Sequence, residues 1–217
     1  MTSWSERAQA YRDSPTHREG PDLDLLVEWC EPGEGVKALD VATGGGHVAR
    51  RLREEGCEVV TLDPSPGMQP DVIARAEDIP FADGSFDVVT SRIAPHHFED
   101  VGAAIAEMER VSNRLVVVED TLFLSERQEE AERLRDPTHV RNYTEDEWRE
   151  LLTGAGLEVE QAEVFEKTHP LEPWLARTGC EGGEAERVKE LLAERLTPDG
   201  SAWTDTKIVI RARKSQR

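Results

Sequence analysis

A glycine-rich loop between a predicted strand and a predicted helix restricts the fold of this chain most. The apolar run at residues 36–41 predicts a strand, residues 43–46 read Thr-Gly-Gly-Gly, and residues 47–55 carry apolar side chains four positions apart, as on one face of a helix. A second apolar run, residues 58–62, ends at Asp63. Strand, glycine loop, helix and strand within about 30 residues predict a βαβ unit with a parallel sheet.

The alternation of strands and helices continues along the chain. Further strands are predicted at residues 71–75, 86–91, 114–119, 157–167 and 207–213, and helices at 100–110, 125–135, 144–154, 170–179 and 184–196. This order predicts an α/β protein with helices on both faces of its sheet. A length of 217 residues favours one domain over residues 1–217. Within it, we expect a helical cap at residues 1–35 and a mobile helical insert, or lid, at residues 170–201.

The composition excludes several classes of protein. Asp and Glu number 45 against 26 Lys and Arg, and the formal charge of −19 disfavours binding to nucleic acid or to an anionic membrane surface. No apolar run approaches the roughly 20 residues that span a bilayer, and no signal peptide is evident, so we expect a soluble, cytoplasmic protein. With only five lysines among the bases, the acidic surface suits concentrated salt, and we hold halophily as a hypothesis. The three cysteines are scattered, which predicts reduced thiols.

Two acidic residues at strand ends indicate the kind of ligand. Asp63 lies about 20 residues beyond the loop, where a carboxylate can accept hydrogen bonds from both hydroxyls of a ribose. The spacing Gly44-x-Gly46-x-x-Ala49 also matches a nicotinamide-dinucleotide fingerprint. Asp40, at the end of the first strand, would repel a pyrophosphate and attract an ammonium group. The residues therefore favour a cofactor with an amino-acid portion, and an NAD(P)-dependent oxidoreductase stays open as the alternative.

Four motifs in this order resemble those of a known family. They read Asp-Val-Ala-Thr-Gly-Gly-Gly at 40–46, Asp-Pro-Ser-Pro-Gly-Met at 63–68, Ala-Glu-Asp-Ile-Pro-Phe at 76–81 and Ser-Phe-Asp-Val-Val at 85–89. The chain resembles class I S-adenosylmethionine-dependent methyltransferases, in particular their ubiquinone/menaquinone-biosynthesis-like small-molecule branch. The resemblance implies a Rossmann-like, seven-stranded, mostly parallel sheet with an antiparallel last strand. It also implies S-adenosylmethionine as cofactor and a small molecule as methyl acceptor.

The resemblance also implies which residues bind the cofactor. They are Asp40, Ala42, Gly44, Gly46, Asp63, Met68, Ala76, Glu77, Asp78, Arg92 and Ile93. In the family, residues at these positions place the glycine loop under the methionine portion, Asp63 against the ribose, Met68 on the adenine ring and Glu77 or Asp78 at the adenine amine. Residues 63–71 contain three prolines, so we expect a turn where the family usually has a helix.

Candidates for catalysis and for binding the acceptor are less specific. His96 and His97 follow the fourth strand and could supply a general base; we expect at most one to act, since adjacent side chains point apart, and the other would pack or cap a helix. Candidate substrate residues are Tyr11, His17, Arg135, His139, Arg141 and Trp174. Each could instead be a surface, salt-bridged or packing residue. No metal site is predicted, because no third ligand lies nearby. The acceptor atom and the oligomeric state stay open, as does a non-catalytic cofactor-binding module of the same fold.

Overall fold

A twisted seven-stranded sheet organises residues 4–215, the part of the chain that the computed structural model describes. The strands are β1 (Lys37–Val41), β2 (Glu58–Asp63), β3 (Val72–Ile73), β4 (Phe86–Arg92), β5 (Ser112–Thr121), β6 (Leu157–Pro170) and β7 (Ala202–Lys214). Their order across the sheet is β3-β2-β1-β4-β5-β7-β6. β1 to β5 pair in parallel, and β7 runs antiparallel to both β5 and β6. The predicted Rossmann-like fold with an antiparallel last strand is confirmed.

Helices cover both faces of this sheet. They are α1 (Trp4–Arg12), α2 (Pro15–Arg18), α3 (Pro21–Trp29), α4 (His47–Glu54), α5 (Val101–Val111), α6 (Glu126–Arg135), α7 (Glu145–Gly154), α8 (Leu171–Ala176) and α9 (Gly182–Leu191). One apolar cluster joins α5 and α7 to the sheet and a second joins α3 and α4 to the opposite face. The central strands are buried on both sides, which explains why they read as continuous apolar runs. None of the described helices is long and apolar enough to cross a membrane.

The segment between β6 and β7 packs as a third apolar cluster at the carboxyl edge of the sheet. The rings of Trp174 on α8 and Trp203 on β7 lie 4.5 Å apart between centroids, and both side chains are buried. Ala131 of α6 and Val188 of α9 belong to the same cluster. The insert is therefore held to α6 and β7 by apolar contacts. Its mobility, like the division of the chain into cap, domain and insert, stays a prediction.

Several predicted boundaries differ from those observed, for local reasons. β3 covers two residues instead of 71–75, because it follows Pro70, which has no N–H, and lies at the sheet edge. The helix predicted at 184–196 ends at Leu191 and a 3₁₀ turn follows at Ala193–Arg195. The last strand begins at Ala202 instead of 207, since its first residues pair with the end of β6. The expected turn after β2 is a 3₁₀ turn, Pro66–Met68.

Candidate active site

A cavity of about 490 Å³ lies at the carboxyl ends of β1, β2 and β4. This is where open α/β sheets bind ligands, because loops on either side of a reversal in strand order diverge there. Its lining residues are Trp4, Tyr11, His17, Asp40, Ala42, Thr43, Gly44, Gly45, His47, Val48, Asp63, Pro64, Met68, Arg75, Ala76, Glu77, Arg92, Ile93, Ala94, His97, Phe98, Glu99, Thr138 and Val140. Nine of the eleven predicted cofactor residues are in this set. Gly46 and Asp78 are not.

Asp40 fixes the shape of the glycine loop from beneath. Its Oδ2 accepts hydrogen bonds from the Thr43 hydroxyl at 2.6 Å and from the Ala49 N–H at 3.2 Å. The loop turns through left-handed backbone at Gly44, with φ of +51°, and a side chain at Gly45 would collide with His47. Burial raises the pKa of Asp40 to about 6, although the two hydrogen bonds oppose the rise. Asp40 is therefore a carboxylate at neutral pH that gains a proton in mild acid.

Asp63 connects the end of β2 to the glycine loop. Its Oδ2 accepts from the Gly44 N–H at 3.0 Å and its Oδ1 from the Ser65 N–H at 2.8 Å. A carboxylate oxygen can accept a further hydrogen bond, so both oxygens retain capacity for a ligand in the cavity. Burial raises the pKa of Asp63, against the effect of the two N–H groups. Asp63 thus both shapes the loop and faces the ligand cavity.

The far wall of the cavity contains the residues predicted to contact adenine. Met68, in the 3₁₀ turn after β2, is buried and lines the cavity together with Ala76. Glu77 also lines it and accepts the Glu99 N–H at 2.9 Å. Asp78 is exposed outside the cavity. Of the two acids left open for the adenine amine, Glu77 is therefore the one in position.

Arg92 and Ile93 reach the cavity in a way that the sequence did not indicate. The Arg92 guanidinium donates to Glu119 at 2.6 Å, to Asp22, and to the carbonyl of His17 at 3.0 Å. Its charge is already neutralised, so Arg92 ties the N-terminal segment to β5. Ile93 has a φ of +51°, which is strained for a β-branched residue and costs roughly 1–3 kcal/mol.

The two adjacent histidines have different environments. His97 lines the cavity, and its Nδ1 lies 3.0 Å from the carbonyl oxygen of Thr138. The His96 Nδ1 is 2.5 Å from Asp120, behind the cavity wall. The 3₁₀ turn Pro95–His97 brings their ring centroids to 4.1 Å apart, yet only His97 lines the cavity, so the two side chains do not face it together.

The residues predicted to bind the acceptor divide into two groups. Tyr11 and His17 line the cavity, with ring centroids 5.5 Å apart. The structure does not bring Arg135, His139, Arg141 or Trp174 to the cavity wall. Each of these four makes a local contact instead.

Those local contacts are structural. Arg135 lies over the Trp174 ring, 4.1 Å from its centroid, and donates to the Trp174 carbonyl. His139 pairs with the buried Glu129 at 3.0 Å. Arg141 pairs with Glu147 at 2.6 Å near the protein surface. The alternative of salt-bridged and packing residues therefore accounts for these four side chains.

Among the cavity residues that sequence reasoning missed are Trp4, His47 and Thr138. His47 directly follows the glycine loop, so its position was a usable signal. Nothing near Trp4 in the sequence indicates a site. Thr138 lies between the candidate residues Arg135 and His139, so its loop was indicated although Thr138 itself was not. Among residues 4–215, no group of three or more His, Cys, Asp or Glu is arranged to hold a metal ion, and all three cysteines are free and buried.

The fold and site define a class: α/β proteins that bind a nucleoside-containing ligand at the end of a glycine loop. Comparison with known proteins narrows it. Residues 39–114 match the family profile described as a methyltransferase domain. The uncharacterized methyltransferase YcgJ of Bacillus subtilis is 29% identical over 213 residues, which cover 88% of this chain and 83% of that protein. The demethylmenaquinone methyltransferase of Beutenbergia cavernae is 41% identical over 110 residues, covering 45% of this chain and 44% of that protein.

Two solved structures share the fold of this chain. BH2331 of Bacillus halodurans has a TM-score of 0.80 at 26% identity, covering 91% of this chain and 100% of that one. The YcgJ structure also has a TM-score of 0.80, at 25% identity, covering 90% of this chain and 99% of that one. The matching profile, the relatives and the solved structures support a class I S-adenosylmethionine-dependent methyltransferase and imply S-adenosylmethionine as its cofactor. The nicotinamide alternative gains no support from these relatives.

Proposed function

We propose that this methyltransferase methylates a protic atom of an uncharged, aromatic or apolar small molecule, with His97 as the general base. S-adenosylmethionine supplies an electrophilic methyl group on a sulfonium. The residues of the chain bind and orient both reactants and accept the proton that the acceptor loses. Positioning alone can supply much of the acceleration in such a displacement.

The cavity fits the cofactor by volume and by chemistry. Its volume of about 490 Å³ falls within the roughly 300–1,000 Å³ of small-molecule sites. The free lone pairs of Asp63 suit the two ribose hydroxyls, and the Glu77 carboxylate suits the adenine amine. Asp40, beneath the glycine loop, places negative charge near the ammonium of the methionine portion. Met68 offers a polarizable thioether against an aromatic ring.

The hydrogen bond between His97 and Thr138 is the observation that carries the catalytic role. A carbonyl oxygen only accepts, so His97 must donate from Nδ1, and Nε2 is then the unprotonated nitrogen. Within the described part of the chain, Nε2 has no hydrogen-bond partner. Burial, and then the neighbouring His96, lower the pKa of His97 well below its usual value. The imidazole is therefore neutral at pH 7, so Nε2 carries a lone pair and no proton.

The charge and polarity of the wall support an uncharged acceptor. Trp4, Tyr11 and Phe98 give it aromatic surface. Arg75 is paired with Glu77 and Glu99, so it is not free to bind a carboxylate or a phosphate, and the buried Arg92 is neutralised as described above.

Relatives do not fix the acceptor, since their names specify different ones. One is a demethylmenaquinone methyltransferase, and another is a malonyl-[acyl-carrier protein] O-methyltransferase from Pseudescherichia vulneris, 31% identical over 119 residues. The aromatic lining favours a ring-bearing or apolar acceptor.

Turnover of methyl-labelled S-adenosylmethionine against a panel of neutral phenols, quinols, amines and carboxylates tests the proposal. We expect transfer to neutral hydroxyl-bearing rings and little to carboxylates. His97→Gln should lower kcat about a hundredfold or more while cofactor affinity changes less than threefold. His96→Gln should cost much less, because His96 does not line the cavity. Tight cofactor binding with no transfer to any acceptor would instead support the non-catalytic module.

A further inference from the structure

Helix α1 bridges two walls of the cavity. On one side, Ser5 and Arg12 contact the turn after β2: the Ser5 hydroxyl accepts the Gly67 N–H at 3.1 Å, and Arg12 donates to the Gly67 carbonyl at 3.2 Å. On the other side, Arg7 forms a 3.0 Å ion pair with Asp136, in the loop that follows α6. Both side chains of this pair are almost completely buried, at 4% and 2% exposure.

The Arg7–Asp136 pair is the first link of a hydrogen-bonded chain that ends at His97. Asp136 Oδ1 accepts from Arg7, from the Thr138 N–H at 3.0 Å and from the Thr138 hydroxyl at 2.7 Å. The carbonyl of the same Thr138 accepts from His97 Nδ1. Trp4, at the start of α1, packs edge-on against the His97 ring with centroids 4.8 Å apart. Helix α1 therefore contacts His97 both directly and through the loop.

We propose that Arg7 is a positioning residue, which holds the Asp136–Thr138 loop so that His97 presents Nε2 to the acceptor. The proposal rests on the general-base role proposed for His97. It assigns α1 a function beyond covering the site: contacts from the helix hold the base in place. Arg7 itself does not line the cavity.

The charges around His97 give this proposal a measurable consequence: the proton affinity of His97 should depend on the charges of Arg7 and Asp136. His97 faces His96 from its own turn, Asp136 and His139 from the loop after α6, and Trp4 from α1. Asp136 raises the affinity of His97 for a proton, and Arg7 offsets that charge. Removing Arg7 leaves a buried carboxylate without its cation beside His97, which then binds a proton more readily. Removing the charge of Asp136 has the opposite effect.

Nuclear magnetic resonance titration of histidine-labelled protein, saturated with S-adenosylmethionine, tests the coupling without an identified acceptor. The chain has six histidines, and the His97 signal is the one lost in His97→Gln. In Arg7→Met, the His97 midpoint should rise by about one pH unit. In Asp136→Asn it should lie at or below that of the wild type. Arg7→Lys keeps the cation and should have the wild-type His97 midpoint. Gln9→Ala, an exposed change on the same helix, should also leave the His97 midpoint unchanged.

Each outcome decides a separate question. Equal His97 midpoints in the wild type and in a folded Arg7→Met, checked by thermal melting, would overturn the proposal, as would shifts of the same sign in Arg7→Met and Asp136→Asn. With an acceptor in hand, the acid limb of the kcat profile should follow the midpoint, with the cofactor KM changed less than threefold. If the His97 midpoint shifts in opposite directions in Arg7→Met and Asp136→Asn while His97→Gln keeps full activity, the coupling of Arg7 to His97 holds but His97 is not the base. Failure of the Arg7 proposal and failure of the proposed base are therefore distinguishable.

Discussion

At the scale of single residues, Asp63 has two proposed functions, and one substitution removes both. Asp63→Ala removes the proposed acceptor for two ribose hydroxyls, each charge-assisted bond being worth roughly 1.5–3 kcal/mol. We expect S-adenosylmethionine affinity, measured by calorimetry, to fall about a hundredfold or more. It also frees the N–H groups of Gly44 and Ser65, so the glycine loop should loosen.

The matched control for Asp63 is Asp71→Ala. Asp71 accepts hydrogen bonds from Thr61, which lies on β2 as Asp63 does, but Asp71 does not line the cavity. This variant should bind S-adenosylmethionine as the wild type does. Unchanged affinity in a folded Asp63→Ala would contradict the predicted ribose contact.

Asp40 predicts a pH dependence of cofactor binding. Its pKa is raised to about 6, so the charge that attracts an ammonium group is present above that pH and is lost as the pH falls through it. With a charge pair worth about 1 kcal/mol, wild-type affinity should weaken about fivefold between pH 8 and pH 5. Asp40→Asn keeps an oxygen to accept from Thr43 and Ala49, and calorimetry should show weak binding with a flatter pH dependence. Tighter NAD binding by this variant would revive the dinucleotide alternative.

Some features at this scale are not encoded in local sequence. The left-handed backbone of Ala42 and Ile93 lies at residues that usually avoid it, so residue type gives no signal. The resemblance implied that Arg92 faces the cofactor and substrate. Its saturation by Asp22 and Glu119 depends on partners 70 and 27 positions away.

At the scale of elements, the sequence predicts the strands and helices that form the sheet and its two apolar faces. It does not predict the long-range contacts that helix α1 makes at the edge of the sheet. Strands β1, β4 and β5 are buried on both faces, and for this reason their apolar runs in the sequence predict them. Helix α1 is mostly polar, and the contact of Arg7 with Asp136 joins positions 129 residues apart. No periodicity reports such a contact. The loop at Asp136 was recognised as polar, but its connection to His97 is visible only in three dimensions.

Hydrogen exchange of the insert between β6 and β7 tests whether this segment is a mobile lid. It contacts the N-terminal segment through Arg177, which lies over the Tyr11 ring at 5.8 Å and donates to the Thr16 hydroxyl at 3.4 Å. If the insert is a mobile lid, amides of α8 and α9 should exchange hydrogen faster than those of β5 and slow on addition of S-adenosylmethionine. Exchange as slow as in β5, unchanged by the cofactor, would show a fixed packing element.

At the scale of the whole molecule, charge is distributed unevenly between interior and surface. Buried ion pairs such as Arg7–Asp136 and Arg92–Glu119 join distant segments in a region that salt screens little. The surface instead carries the excess of acids behind the net charge of −19. Exposed pairs such as Arg187–Glu130 contribute little each, about 0–1 kcal/mol, and salt weakens them.

The balance of these charges predicts how salt changes stability. Because a net charge of −19 on 217 residues repels itself, screening that repulsion should outweigh the loss of exposed ion pairs, while the buried pairs persist. We expect the Tm, measured by calorimetry, to rise steadily from low salt to molar potassium chloride. Replacing the exposed Glu55, Glu58, Glu158 and Glu181 by glutamine should raise the Tm at low salt and reduce the gain from salt. A Tm that stays flat or falls over this range would show that local pairs dominate, and the case for adaptation to concentrated salt would fail.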